Sequence, residues 1–349
     1  MNELTPSTDL LHQELRTVIA DARERTAVAV NAELSRLYWH IGKRLAVEVL
    51  GGERAAYGQQ VIATLGARLA AEFGRGFEAK NLRRMVQFAA AFPDGEIVAS
   101  LMRQLSWTAF LQLIPLKDPT ARGFYARMAA THGWSVRDLR RHIDTKTFER
   151  TAIASSQGSG IENALAELDQ TGTLPVALAF KDPYVLDFLG LRDTYSEKSL
   201  EDAILRELEA FMLELGSGFA FVERQKRLVI DGEDFYVDLL FFHRRLRRLV
   251  VVELKLGRFK AAYKGQMELY LRWLDKHERQ AGEEKPIGLI LCAEASSEQV
   301  ELLEMHQDGI VVAEYWTELP PREEWQRRLH RALVEARERL AVRGVLLEG

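Results

Sequence analysis

Asp238, Glu253 and Lys255 lie in the stretch Asp234-Phe-Tyr-Val-Asp-Leu-Leu-Phe-Phe-His-Arg-Arg-Leu-Arg-Arg-Leu-Val-Val-Val-Glu-Leu-Lys255. Two carboxylates and an ammonium there interrupt runs that are otherwise apolar, β-branched or aromatic. Carboxylates a few ångströms apart repel each other, and a divalent cation relieves that repulsion. Mg²⁺ takes one or two carboxylates and completes its shell with water and phosphate oxygens. A neighbouring lysine can steady an attacking water or the charge building on phosphorus. Together the three groups suit metal-assisted hydrolysis of a phosphodiester. The competing reading is a half-buried structural ion pair, because charges inside apolar strands are costly unless paired.

The elements that must position these residues can be read from their flanks. Runs 235–242 and 249–254 flank a basic, turn-like hexapeptide at 243–248, which reads as a β-hairpin. A turn symmetric about 245/246 sets Phe242 opposite Leu249 and Asp238 opposite Glu253, with β-carbons about 5 Å apart. Strand alternation then projects Asp238, Glu253 and Lys255 to one face and His243 to the other, where it reads as a turn residue. The basic turn, with Arg244, Arg245, Arg247 and Arg248, reads as lying close to the site. Downstream, 259–275 reads as a helix with Met267, Tyr270, Leu271 and Leu274 on a buried face, and Gln266 one turn from Tyr270. Upstream, Ser199-Leu-Glu-Asp202 reads as a helix start of the capping-box type. That helix runs through Ile204, Leu208 and Phe211 to Leu215 and stops at Gly216 and Gly218. Glu207 adjoins its apolar face, so it points toward the sheet. Two further runs, 287–292 and 310–315, read as strands of a covered sheet.

The order helix, three strands, helix, strand, helix, strand is similar to the αβββαβ core of the PD-(D/E)XK nucleases. Asp238 resembles that superfamily's first acid and Glu253-Leu-Lys255 its E-x-K element, with Gln266 on the following helix and Glu207 on the preceding one. The segments Phe219-Ala-Phe-Val-Glu-Arg-Gln225, Gly265-Gln266 and Pro286-Ile-Gly-Leu-Ile-Leu-Cys-Ala-Glu294 resemble the YhcG family of bacterial PD-(D/E)XK proteins. So do Tyr38-Trp-His-Ile-Gly-Lys-Arg44, Phe73-Gly-Arg-Gly-Phe77, Asn81-Leu-Arg-Arg-Met85 and Leu105-Ser-Trp107, and the similarity runs from about residue 10 to 318. One departure is Val237, where the superfamily name implies proline; the carboxylate that follows it is what binds metal. Gln225 reads as an ordinary sheet-edge polar residue.

The resemblance implies a Mg²⁺-dependent nuclease acting on DNA, with Mn²⁺ as a substitute. It implies that Asp238 and Glu253 bind the metal with the backbone carbonyl of Leu254, and that Lys255 positions or activates the attacking water. Gln266 would orient Lys255 or a phosphate oxygen, and Glu207 would act as an outer carboxylate through water. Repair, recombination and defence are the settings it suggests, and it leaves the substrate's shape and a homo-oligomer open. The alternatives are a non-cleaving nucleic-acid-binding module and an adaptor subunit of a restriction or defence complex. Intact acids and lysine favour the enzyme.

At 349 residues and 47% hydrophobic, the chain is long enough for two cores. No stretch has the layout of a signal peptide and no apolar run approaches a membrane span, which reads as a cytoplasmic protein with no membrane partner. A single cysteine, Cys292, excludes an intramolecular disulfide and a cysteine metal cluster. Residues 1–150 hold 21 Lys and Arg against 16 Asp and Glu, the remainder 26 against 35. The first part therefore carries the basic excess that a phosphate backbone favours. It reads as all helix: Leu11, Leu15, Val18, Ile19 and Ala22 mark one face, Leu34, Leu37, Tyr38, Ile41 and Leu45 the next, and Gly51-Gly52 breaks the chain. Residues 73–88 resemble the turn and second helix of a helix-turn-helix, with Lys80, Arg83, Arg84 and Gln87 toward DNA and Leu82, Met85, Val86 and Ala89 inward. A plain solvated helix face is the alternative there. The expected domains are therefore a helical 1–150, a Ser- and Gly-rich linker at 151–180, and a PD-(D/E)XK domain at 181–349.

Overall fold

The computed structural model describes residues 6–50, 55–156, 160–191, 195–295, 297–318 and 321–348; the break expected at Gly51-Gly52 lies outside them. Two compact units are present, residues 1–144 and 145–349.

The first unit is helical: α1 (Pro6–Leu50), α2 (Ala55–Phe73), α3 (Ala79–Ala91), α4 (Gly95–Met102), α5 (Trp107–Leu113), α6 (Pro119–His132) and α7 (Val136–Asp144). The two expected N-terminal faces belong to one continuous helix. Its first face is not core: Leu11, Leu15, Val18 and Ile19 are all more than half exposed. Further along α1 Ser35, Trp39 and Leu45 are buried while Leu37 stays exposed, and a β-carbon on Gly42 would meet the Met85 carbonyl at 1.9 Å, so only glycine lets α1 and α3 approach this far. Ser135 and Asp138 form the capping pair at the start of α7, with Ser135 Oγ 2.7 Å from Asp138 Oδ2 and accepting the Asp138 amide.

The second unit begins before residue 150. The expected boundary falls inside α8 (Thr147–Ser155), and the expected linker holds the rest of that helix and α9 (Ile161–Thr171). Their Ala152, Ile153, Ile161, Leu165 and Leu168 are buried, so small residues here serve close helix packing rather than flexibility. The buried Arg150 pairs with Glu214 and donates to the Pro183 carbonyl (2.7 Å). It thereby ties α8 to the segment Lys181–Leu186, whose β1 (Tyr184–Val185) pairs in parallel with the last strand.

The remaining elements are α10 (Glu197–Arg206), α11 (Leu208–Leu215), β2 (Phe219–Ile230), β3 (Glu233–His243), β4 (Arg248–Arg258), α12 (Ala262–His277), β5 (Ile287–Glu294), α13 (Ser297–Leu302), β6 (Ile310–Trp316) and α14 (Arg322–Glu348). The six strands form one sheet in the order β1-β6-β5-β4-β3-β2. Strands β2, β3 and β4 are antiparallel, while β4, β5 and β6 are parallel. This is the expected αβββαβ order with one extra edge strand. The α10 start differs from the expected one: its cap is Ser196, whose hydroxyl accepts the Ser199 amide. The helix also breaks at Glu207 (φ −107°, ψ 34°) before α11 begins. A core cluster joins Met267, Tyr270, Leu271 and Leu274 of α12 to Val251, Ile290, Cys292 and Val312 of the sheet. Among the described residues no helix is long and apolar enough to cross a membrane.

Candidate active site

Strands β3 and β4 pair from His243↔Arg248 at the turn to Leu239↔Val252, and there the ladder ends. The backbone groups released by this fork need partners. The Asp238 amide donates to Glu253 Oε1 (3.2 Å), and the Leu254 amide donates to Asp238 Oδ2 (2.8 Å). The two carboxylates thus replace ladder bonds, and each is fixed by the other's strand. The register of the expected hairpin is observed, but strict alternation is not. Val237 and Leu240 pack in one core cluster, with Phe235 and Phe242 against it, so the phase slips at Asp238–Leu239.

Lys255 Nζ donates to Glu253 Oε2 at 3.0 Å and lies 5.5 Å from the Tyr263 ring centre. Glu253 is 2% exposed. Burial, then the Asp238 charge, pushes its carboxyl up to about 7, against the lowering effect of Lys255. Burial also raises Asp238, against the Leu254 amide and Lys255. Burial alone would lower the Lys255 ammonium, but Glu253 and Asp238 outweigh it and hold its pKa above the ordinary lysine value. Lys255 is therefore a charged donor at neutral pH.

Helix α10 supplies a further acid, and it is not Glu207. Glu207 sits exposed at the break between α10 and α11. Glu201 is buried on α10 beside Leu200, Ala203 and Ile204. Burial and then the Asp238 charge raise its pKa. The sequence signal that could have found it is an acid on the apolar stripe, four residues after Glu197 and three before Ile204. Between Glu201 and Asp238 stands Gln225, whose Nε2 lies 2.8 Å from Glu201 Oε2 and 3.3 Å from Asp238 Oδ1. Glu197, in the first turn of α10, accepts the Leu256 amide at 3.1 Å.

Gln266 is brought to the same side by α12, but its Nε2 hydrogen-bonds Tyr270 Oη (2.7 Å) rather than Lys255. The Leu254 side chain is buried, and its amide faces the fork. A strand residue's carbonyl points to the same edge as its amide, so this carbonyl also faces the gap. The basic turn is not beside the site: Arg244 and Arg245 are exposed just past the end of β3, six and seven positions from Asp238, roughly 20 Å at strand rise. On α3, Lys80, Arg83 and Gln87 are exposed. Arg84 is half-buried and donates to Asn81 Oδ1 (3.3 Å), while Leu82, Met85, Phe88 and Ala89 are buried.

Among the described residues no three His, Cys, Asp or Glu side chains converge as a ready-made metal cage. Mg²⁺ needs only one or two carboxylates and keeps its waters. A buried Glu253 and a half-buried Asp238 facing one lysine leave the fork short of positive charge, so the donor set fits such a cation.

Residues 177–330 match the model of the YhcG PDDEXK nuclease domain, and residues 14–150 match the DUF1016 N-terminal domain. The "Putative nuclease YhcG" of Escherichia coli (strain K12) is 39% identical over 342 residues, covering 89% of this chain and 90% of that protein. Among solved structures, a repair endonuclease from Pyrococcus abyssi is 21% identical with a TM-score of 0.26, over 38% of this chain and 50% of that one. An EndoMS–dsDNA complex is 23% identical with a TM-score of 0.27, over 38% and 48%. The matches span about half the length of those two chains.

Proposed function

The chain belongs to the YhcG PDDEXK nuclease family, and from that premise we propose that it is a Mg²⁺-dependent nuclease hydrolysing phosphodiester bonds of DNA in the cytoplasm. The observation that carries this reading is the fork itself, where a half-buried Asp238 faces a buried Glu253 and Lys255 is bonded to Glu253. Asp238, Glu253 and the Leu254 carbonyl would hold Mg²⁺, or Mn²⁺ in its place. Bound there, the ion supplies positive charge to the two acids and to a phosphate oxygen.

Lys255, held by Glu253 and kept protonated by both acids, orients the attacking water and donates to the charge growing on phosphorus. It does not act as the base. Glu201 takes the outer-carboxylate role expected of Glu207, reaching the centre through water. Gln266 positions Tyr270 at the wall of the site and has an amide N–H to spare for phosphate. The exposed Lys80, Arg83 and Gln87, with Arg84, contact the DNA backbone. Arg244 and Arg245 hold DNA away from the cut.

A cleavage screen over duplex, single-stranded and branched DNA and RNA, in Mg²⁺ and in EDTA, tests the proposal. Metal-dependent cleavage of a DNA form is expected. Cleavage of none of them, or cleavage undiminished in EDTA, would refute it.

A further inference from the structure

Gln225 is the residue of this region that the expected mechanism does not use. Five non-glycine residues among those described have positive φ: Lys146, Gln225, Asp231, Arg247 and Glu304. Four of them sit in hairpin turns or at helix caps; Gln225 (φ 46°) lies inside strand β2. An L-residue in the left-handed region is disfavoured, and this one stands across from the point where the alternation of β3 slips. Conformations of this kind persist where the surroundings over-determine them, and they cluster at functional sites. In register, Arg224↔Leu239 and Lys226↔Val237 bracket the missing pair, so Gln225 stands directly across from Asp238. From there its single amide nitrogen reaches both Glu201 Oε2 (2.8 Å) and Asp238 Oδ1 (3.3 Å).

We propose that Gln225 is a positioning residue that sets the Glu201 and Asp238 carboxylates side by side for the cation; this rests on the nuclease reading above. The residue type suits the task. A carboxamide N–H₂ has two donors and no charge, so it draws two acids together without neutralising them. A lysine in its place would compete with the metal, and a glutamate would drive the acids apart. The kinked backbone fixes the amide's position, and Asp238 is then held from both sides, by Leu254 on one oxygen and Gln225 on the other.

The experiment is Mn²⁺ titration calorimetry on the full chain: wild type, Gln225→Gly, Glu201→Gln and the double variant, each shown by an EDTA melt to unfold cooperatively. Glycine accepts the left-handed backbone, so the strand keeps its path while the amide is lost. Gln225→Gly should weaken Mn²⁺ binding roughly tenfold or more, the range found when a group supporting metal ligands is removed. Because Gln225 acts partly through Glu201, the double variant should lose less than the product of the single losses. Should the glycine variant not fold, Gln225→Asn replaces it, since asparagine tolerates this conformation but is too short to span both acids. Unaltered Mn²⁺ affinity in the Gln225 variant, or losses that multiply, would overturn the proposal alone. A wild type that binds no Mn²⁺ would overturn the nuclease reading and the proposal with it.

Discussion

The two ends of the β3–β4 hairpin each bury a titratable group, His243 at the turn and Glu253 at the fork, 1% and 2% exposed. They are accommodated in opposite ways. His243 Nδ1 accepts the Leu246 amide at 3.1 Å, and its ring meets Phe219 edge-on at 4.7 Å. Burial pushes it down to about 4, so it stays neutral with a backbone partner close by in sequence. Glu253 instead faces a second acid across the fork and is pushed up to about 7. A buried polar group whose partner lies in its own turn is architecture. A buried Glu253 facing a half-buried second acid has no such local partner, and the proposed cation site rests on that difference.

The largest effects should come from the fork. Asp238→Asn and Glu253→Gln should each abolish cleavage and, by calorimetry, Mg²⁺ binding, while circular dichroism stays native. Lys255→Ala should keep metal binding but lose about 2–4 kcal/mol of transition-state stabilisation, the scale of one oriented donor. Equivalent damage from a His243 variant with an intact fold would erase the contrast between the two ends.

The contrast also has a pH signature in metal-free protein. The folded-state pKa of Glu253 lies above its unfolded value, so its contribution is present at low pH and is lost as pH rises from about 4.3 toward about 7. That of His243 lies below its unfolded value, so its contribution is present above about 6.5 and is lost as pH falls toward about 4. The two oppose each other across one window, each on the order of 3–4 kcal/mol at most. Denaturant melts in EDTA should therefore show Glu253→Gln gaining stability relative to wild type from pH 4 to 7 and His243→Asn losing it relative to wild type. Slopes of the same sign in both variants would contradict this assignment.

Much of the fork could be read in advance, because a charged residue in an apolar strand is conspicuous and a hairpin's turn fixes its register. Asp238 opposite Glu253 followed from 245/246 alone. The helix carboxylate was harder to read. Moving the α10 cap from Ser199 to Ser196 and breaking the helix at Glu207 turned the expected acid outward and left Glu201 on the inner face. Gln225 was illegible, since nothing in a glutamine on an edge strand announces a left-handed kink. The basic turn looked close in sequence, yet five residues of extended strand separate it from Asp238. The expected linker misled by composition, because Ala, Ser and Gly suit close-packed helices as well as flexible chain.

That difference between Glu201 and Glu207 can be sharpened. Glu201→Gln should lower cleavage about tenfold, roughly 1.4 kcal/mol, while Glu207→Gln should match wild type. The reverse ranking would restore the simpler reading of one continuous helix.

The smallest effect belongs to the helical unit. Arg83→Ala with Arg84→Ala should weaken DNA binding and flatten its log–log salt dependence by about one unit per lost contact. Cleavage at saturating DNA should persist. Unchanged affinity and slope would assign α3 to a protein interface.

Thermal melts of wild type and Asp238→Asn, each in EDTA and in Mg²⁺ at pH 8, test the cation site most directly and need no knowledge of the substrate. Removing one of two repelling charges should leave Asp238→Asn at least as stable as wild type in EDTA, and Mg²⁺ should raise the melting temperature of wild type only. A wild type indifferent to Mg²⁺, with Asp238→Asn destabilised, would mean that Asp238, Glu253 and Lys255 form a structural ion-pair network.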